Sequence, residues 1–470
     1  MPSMSSAFDT ARDHFLQGVQ RFESGDFTGA EQALLASLAL LPDRASTLSN
    51  LGATRLKLGR AEEARQALEA SLALQPGDAA TWCHLGETLL QLGQDAQALQ
   101  ALDSAIERRQ GASNAAIDLH RALALNRLER HAPALDLLQS LLLHRPHVAG
   151  DADVFLLEGQ TLQCLGRHDE ALRSYEHALA LAPTLAQAWS LKGQRLQELG
   201  QSDAARHCFE QALALGADPD LHRYFLAALD AQSAPGMAGT QDKQGKQSTP
   251  GGAVTPAQSP QAYVRQLFDG YANTFDEHLL NVLQYRTHQV LAEILQNQAP
   301  FWSAGGAATA LDLGCGTGLA APMLRPLAAR LLGLDLSQQM LERARSTGLY
   351  DELICADAAE HLRRSTEPLD LVFSADVFVY IGDLGPLFAA AQARLRPGGV
   401  LAFSVEECAH PATAGQGYVL RSSLRYAHSE QGLAELAARH RMQTLALHRG
   451  TLRLDQQVGE IQGLYVLLQA

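Results

Sequence analysis

Between residues 11 and 219 the chain returns to one pattern at a fixed step. Gly18, Gly52, Gly86, Gly159 and Gly193 each open a short helical stretch, and a second glycine follows seven residues later, at Gly25, Gly59, Gly93, Gly166 and Gly200. An alanine comes five further on, at Ala30, Ala64, Ala98, Ala171 and Ala205. The step is 34 residues from Gly18 to Gly52 to Gly86, and again from Gly159 to Gly193. Pro42, Pro76, Pro146 and Pro183 close most of the units. Such a period confines the chain to supersecondary units stacked in one dimension, because one unit alone cannot bury its apolar face.

Each unit reads as two short amphipathic helices. The first glycine and the alanine are small because the paired helices cross there. The second glycine ends the first helix, where a left-handed backbone is cheap only without a Cβ. Trp82, Trp189, Tyr175 and Phe209 are expected to fill the space between units. These residues resemble the tetratricopeptide repeat family, with six units. The fourth is degenerate: Ala122 and Glu129 replace its glycines, while Ala134 and Pro146 remain. The segment DLHRYFLAALD, Asp220 to Asp230, reads as a terminal helix covering the last unit. The resemblance implies a concave groove for a protein or peptide, or a scaffold surface. Arrays of this family that clamp a terminal carboxylate use Asn and Lys in the groove. Here the equivalent position carries Asn50 once but His84, Leu157 and Leu191 elsewhere, which disfavours such a clamp.

Residues 231–260 contain no aromatic residue, Leu or Ile, and cannot bury enough surface to offset chain entropy. They are expected to form a disordered linker spanning about 30 Å r.m.s., able to carry a partner held by the array to whatever follows. The expected organisation is a flexible start over 1–10, the array over 11–230, the linker over 231–260 and a second domain over 261–470. A net charge of -14 argues against a nucleic-acid partner. The six cysteines form no CxxC pair, so neither a disulfide framework nor a metal site is expected, in keeping with a cytoplasmic setting. No uncharged run approaches the roughly 18 residues of a membrane span, and the start lacks a signal-peptide layout.

After the linker, Tyr263 to Leu295 is helical in pattern, and strand and helix signals then alternate. TALDLGC, LLGLDLS, ELICAD, LDLVFSAD and VLAFSVE read as strands of a parallel sheet with helices on both faces. Its ligand belongs at the carboxyl ends of the strands. The first strand runs into GCGTGL, Gly314 to Leu319. A dinucleotide fingerprint wants Gly or Ala where Leu319 stands, and Gly318 comes one residue early. No Gly-Lys-Ser/Thr follows, so a P-loop fails too. Asp335 lies seventeen residues after Gly318 at the end of the second strand, placed to accept both hydroxyls of a ribose. Asp357 ends the third strand and is placed for an adenine amino group.

LDLGCGTG, LLGLDLS, ICADAAE, LDLVFSADVFVYIGDL and LRPGGVLAFSVE resemble, in order, the motifs of class I S-adenosylmethionine-dependent methyltransferases. With the array, the whole chain resembles the bacterial tetratricopeptide-repeat methyltransferases. The fold this implies is multidomain: an all-α solenoid, then an α/β Rossmann-like domain with a mostly parallel seven-stranded sheet ending in an antiparallel hairpin. The cofactor it implies is S-adenosylmethionine. Asp312, Gly314, Cys315, Gly316 and Gly318 would line its methionine side, Asp335 with Leu336 the ribose, and Asp357 with Ala358 the adenine. Tyr263 and Tyr271 would close over it from the leading helix, and Cys315 reads as a small buried thiol. Candidate groups for the transfer itself are His428, Asp376 and Tyr380 after the fourth strand, and Glu406 at the end of the fifth. The place of an NPPY motif reads SADVF, which disfavours amide and base-amino acceptors. The expectation is a methyltransferase whose array recruits a protein. The alternatives are a small-molecule methyltransferase with an assembly array, and a cofactor-sensing scaffold without turnover.

Overall fold

The computed structural model describes residues 4–111, 113–144, 150–233, 255–272, 275–298, 308–408, 417–455 and 459–470. The chain divides into two compact units, Met1–Leu215 and Gly216–Ala470.

The first unit is a run of antiparallel helix pairs. They are α1 (Met4–Glu23) with α2 (Phe27–Leu40), α3 (Ala45–Lys57) with α4 (Ala61–Leu74), and α5 (Ala79–Gln91) with α6 (Asp95–Arg108). The series continues with α7 (Ala115–Arg127) and α8 (His131–His144), α9 (Ala152–Cys164) and α10 (His168–Leu181), and α11 (Ala186–Glu198) and α12 (Ser202–Ala214). The reading of 1–10 as flexible is corrected from Met4 onward, since α1 begins there and already buries Ala11.

The first glycine of each unit marks a close approach. A Cβ on Gly52 would lie 2.5 Å from Leu68 Cγ, and one on Gly193 would lie 2.6 Å from Phe209 Cε1. The repeated alanines, Ala30 through Ala205, are fully buried. The turn glycines have φ between 71° and 83°. In the degenerate unit Glu129 adopts the same left-handed turn, φ 59°, without glycine's freedom. Trp82 and Trp189 each donate the indole N–H to the carbonyl of Pro76 and Pro183, six residues earlier. Pro146 lies outside the described residues.

The second unit begins with α13 (Pro219–Ser233). This is the helix read above as the end of the array. Within the second unit its Tyr224 hydroxyl bonds Ser259 Oγ at 2.8 Å and the carbonyl of Leu424, and its ring packs on Tyr263 and Tyr426. The linker reading overreaches at both ends. Residues 231–233 complete α13, and 255–260 are pinned to the second unit: Gly382 N–H donates to the Ala257 carbonyl at 2.8 Å and Ser259 N–H to the Tyr380 carbonyl at 2.9 Å. Residues 234–254 lie outside the described residues.

The long leading helix expected from Tyr263 to Leu295 is broken. It comprises α14 (Gln261–Asp269), α15 (Phe275–Glu277), a π-helical turn (His278–Val282) and α16 (Thr287–Asn297). The core follows as β1 (Thr309–Leu313), α17 (Ala321–Leu324), β2 (Arg330–Asp335), α18 (Gln338–Ser346), β3 (Glu352–Cys355), α19 (Ala358–Arg364), β4 (Leu369–Ser374), α20 (Gly385–Arg394) and β5 (Leu395–Glu407). It closes with β6 (Tyr418–Leu420), β7 (Tyr426–His428), α21 (Glu430–Arg439), β8 (Gln443–Asp455) and β9 (Gly459–Gln469). Pro326 keeps α17 short, the chain continuing as a 3-10 turn over Arg325–Leu327.

Parallel strands run in the order β3-β2-β1-β4-β5, with β9 antiparallel on β5 and β8 antiparallel on β9. These are the seven expected strands. Two short ones are added: β7 pairs parallel with the end of β5, and β6 pairs antiparallel with β7. The central strands are buried on both faces, with Leu311, Val372, Leu401 and Phe403 in one apolar layer and Ala310, Phe373 and Ala402 in the other. That burial fixes the register and brings the carboxyl ends of β1 to β5 to one edge.

Candidate functional site

That edge holds a cavity of about 350 Å³, floored by the strand ends and roofed by α14, α15 and the π-helical turn. At the end of β1 the chain turns sharply. The N–H groups of Gly314 and Cys315 both donate to the Leu334 carbonyl, at 2.7 and 2.9 Å. The three glycines serve different ends. A Cβ on Gly314 would lie 2.2 Å from Val377 Cγ2, so this backbone touches the neighbouring loop. Gly316 faces the cavity, where an added Cβ would meet only Phe275, 3.9 Å away. Gly318 does not line the cavity and packs on Tyr350 instead, so its place in the binding set is corrected.

Asp335 ends β2 with its carboxylate held by two backbone amides, Gly316 N–H at 2.9 Å and Ser337 N–H at 2.8 Å. Burial raises its pKa against those bonds. Each oxygen keeps a lone pair for a further donor. Asp312 is buried deeper. Burial lifts its carboxyl to about 7, opposed by the Tyr350 hydroxyl, which donates at 2.6 Å. Asp357 caps α19 through Glu360 N–H and accepts from Gln261 Nε2 at 3.0 Å. Burial pushes the Cys315 thiol well above its usual range, which makes it inert. Leu336 and Ala358 complete this wall. Two carboxylates with free lone pairs, an open glycine face and apolar sides fit a nucleoside whose tail carries an amino group.

The roof supplies Tyr271, as expected, but not Tyr263. Tyr263 packs on Tyr224 and Phe225, while Val264, Leu267, Phe268 and Tyr271 line the cavity. Phe275, Tyr285 and His288 were not singled out in the sequence and also line it. His288 stacks on Tyr285 at 5.3 Å, and burial lowers its pKa to about 4.

The far side is built from distant parts of the chain. Asp376, just after β4, has φ 61° and is held there by its N–H to Ser404 Oγ at 2.9 Å. Its carboxylate meets Arg453 at 3.1 Å and Arg425 at 3.3 Å. Glu406, 1 % exposed, is bound by Arg453 and, at 2.9 Å, by Arg421. The Arg425 guanidinium lies 5.5 Å from the centre of the Tyr380 ring. Asp376 and Tyr380 line the cavity, with Arg425 beside them, whereas Glu406 is bound to Arg453 and Arg421.

His428 does not reach it. On β7 side chains alternate, so Arg425 and His428 face opposite ways. His428 lines a separate polar cavity of about 410 Å³ beside Gly382 and Ser429. Its Nε2 bonds the Gly382 carbonyl at 3.1 Å, and burial lowers its pKa to about 4. Its assignment to the transfer step is corrected on that ground.

Among known proteins, a methyltransferase-domain family profile matches residues 311–403, and tetratricopeptide-repeat profiles match 43–111, 83–150, 152–185 and 186–218. A malonyl-[acyl-carrier protein] O-methyltransferase of Yersinia pestis is 29% identical over 153 residues, 33% of this chain and 54% of that protein. A trans-aconitate 2-methyltransferase of Azoarcus sp. is 38% identical over 101 residues, 21% of this chain and 39% of that protein. A ubiquinone biosynthesis O-methyltransferase of Brucella anthropi is 30% identical over 159 residues, covering 32% and 61%. The chain thus spans about half the length of the curated relatives it matches. Among solved structures, an S-adenosylmethionine-dependent methyltransferase from Clostridium acetobutylicum aligns with a TM-score of 0.33 at 19% identity, over 42% of this chain and 98% of that one. A thermophilic tetratricopeptide-repeat protein of Thermus thermophilus aligns with a TM-score of 0.32 at 23% identity, over 40% and 98%.

Proposed function

From a chain that joins a tetratricopeptide-repeat array to an S-adenosylmethionine-dependent methyltransferase domain, we infer a methyltransferase whose array holds a protein that is, or carries, the methyl acceptor. The observation that carries the transferase reading is Asp335. Its carboxylate is oriented by two backbone amides onto the cavity beside the open face of Gly316. When bound, the donor supplies a methyl group on a positively charged sulfur, already activated for transfer. What the chain adds is position and exclusion of water. Asp335 would hold the ribose hydroxyls, Asp312 the ammonium of the methionine tail and Asp357 the adenine. Phe268, Tyr271 and Phe275 close the roof, while Asp376, Tyr380 and Arg425 shape the opening for the acceptor. Two of the relatives described above are named O-methyltransferases, which supports an oxygen acceptor.

Calorimetry of the full chain with S-adenosylhomocysteine tests the donor site. Binding is expected, with a loss of at least tenfold in D335A. Absence of binding would sink the assignment. Incubation with methyl-labelled donor and cell extract then tests the acceptor, with label expected in protein or in a protein-borne group. Label confined to free small molecules would favour an array used only for assembly. Donor binding with no transfer to any fraction would favour a sensing scaffold.

A further inference from the structure

We propose that the methylated atom is a carboxylate oxygen, and that Arg425 is the residue that recognises this carboxylate on the acceptor. The proposal rests on the transferase reading above and adds the acceptor's chemistry to it.

Position comes first. The groups assigned to the donor stand at the ends of β1, β2 and β3, whereas Arg425 immediately precedes β7. In the order β2-β1-β4-β5-β7 that is four strand steps from Asp335, or roughly 19 Å at the usual strand spacing. Arg425 reaches back over Tyr380 to line the cavity from the side opposite the donor carboxylates.

Charge comes second. Asp376 and Glu406 face three guanidiniums, those of Arg421, Arg425 and Arg453. Arg453 is 7 % exposed and is spent between both carboxylates. Arg421 is spent on Glu406 and on the Glu407 carbonyl. Glu407 and Glu430 are matched separately by Arg449 at the surface, where water screens them. Among the described residues Arg425 engages only through Nη1, at 3.3 Å from Asp376 and 4.0 Å from Glu406. The residues outside the described set contain a single carboxylate, Asp242. The inner cluster thus holds one cation in excess, and its least engaged member faces the cavity. A planar guanidinium whose other N–H donors engage no described residue fits a carboxylate.

Among the described residues beside Arg425, no side chain is well suited to take a proton. Asp376 is pinned by two arginines. Tyr285 and Tyr380 are driven upward by burial, and His288 sits near 4. His278 lines the roof of the cavity, edge-on against Tyr271. An acceptor that must first lose a proton would find little help here, whereas a carboxylate needs none. Its oxygen lone pair forms the O–CH₃ bond as the S–CH₃ bond breaks. The sulfur keeps that electron pair as a neutral thioether, and no proton is released. The ester formed carries no charge, so Arg425 loses its hold on the product.

The test uses the full chain saturated with S-adenosylhomocysteine, heated in the presence of butyrate, hexanoate or glutarate and of the matching amides. At least one acid should raise the melting temperature where its amide does not. R425Q should weaken that response at least tenfold, and R425K by less, with S-adenosylhomocysteine affinity unchanged in both. Acids no better than amides would overturn the proposal. So would an R425Q variant that loses S-adenosylhomocysteine in proportion, because Arg425 would then hold the donor's own carboxylate. If R425Q does not fold, the acid-against-amide comparison on the native chain still decides. Tritiated methyl transferred to extract should be released by mild alkali as volatile methanol, and alkali-stable label would refute ester formation. Failure to bind S-adenosylhomocysteine at all would instead count against the transferase reading.

Discussion

Replacing Asp312 by Asn probes the most heavily buried charge of the site. The carboxyl is 2 % exposed, it accepts from the Tyr350 hydroxyl, and burial lifts its pKa from 3.8 to about 7. That displacement corresponds to on the order of 4 kcal/mol against the ionised form. The sign follows from proton counting. The unfolded carboxyl ionises near its ordinary value, while the native one keeps its proton to about 7. Native stability relative to D312N should therefore fall by about 1.4 kcal/mol per pH unit between pH 4 and pH 7 and level off above. Asn is isosteric and still accepts from Tyr350, so the packing is preserved. In thermal unfolding of the donor-free full chain, the advantage of D312N should widen by on the order of 10 °C between pH 4.5 and 7. A donor ammonium placed beside Asp312 would favour its ionised form. Binding of S-adenosylhomocysteine near pH 6.5 should then release a proton, visible as a dependence of the calorimetric heat on buffer, and D312N should release none. Parallel melting curves, or a D312N variant less stable at pH 7 with no proton release, would refute the reasoning.

Gly193→Ala should place a methyl 2.6 Å from Phe209 Cε1 and cost about 1–3 kcal/mol by overpacking. Amide exchange should speed up across 186–214 while S-adenosylhomocysteine affinity stays unchanged. Tyr224→Phe removes the hydroxyl shared between Ser259 and the Leu424 carbonyl and should cost about 1–2 kcal/mol, read as a lower melting temperature. An unshifted melt would show that the hydroxyl holds nothing. His428→Gln should lower thermal stability but leave the pH dependence of turnover intact above pH 5, since the ring is already neutral there. Loss of a titration limb near neutrality would restore His428 to the transfer step.

The array and the donor loop were legible because each is written locally. A fixed period with small residues at helix crossings needs no long-range knowledge, and neither does a strand breaking into GCGTG before a helix. Asp335 and Asp357 were found by the same route, since a strand end is a position in sequence as well as in space. The acceptor side was not legible. Asp376, Glu406, Arg421, Arg425 and Arg453 are brought together only by strand order, across 77 residues from Asp376 to Arg453. The sequence signal for Arg425 was slight, one arginine between Leu424 and Tyr426. His428, three residues on, drew attention as an imidazole, and the pleat turned it away. Tyr263 lies among cavity-lining neighbours on α14, but its ring is taken up by Tyr224 and Phe225, which are distant in sequence.

Helix α13 alters the topology of the connection. The chain enters the second unit at Gly216, forms α13, passes through residues 234–254 and returns to the same unit at 255–260. Residues 234–254 thus connect two segments of one unit. The chain passes from the first unit to the second at Leu215–Gly216. A cut within residues 234–254 should therefore leave two fragments held together by the Tyr224 contacts inside the second unit, joined as two chains rather than one.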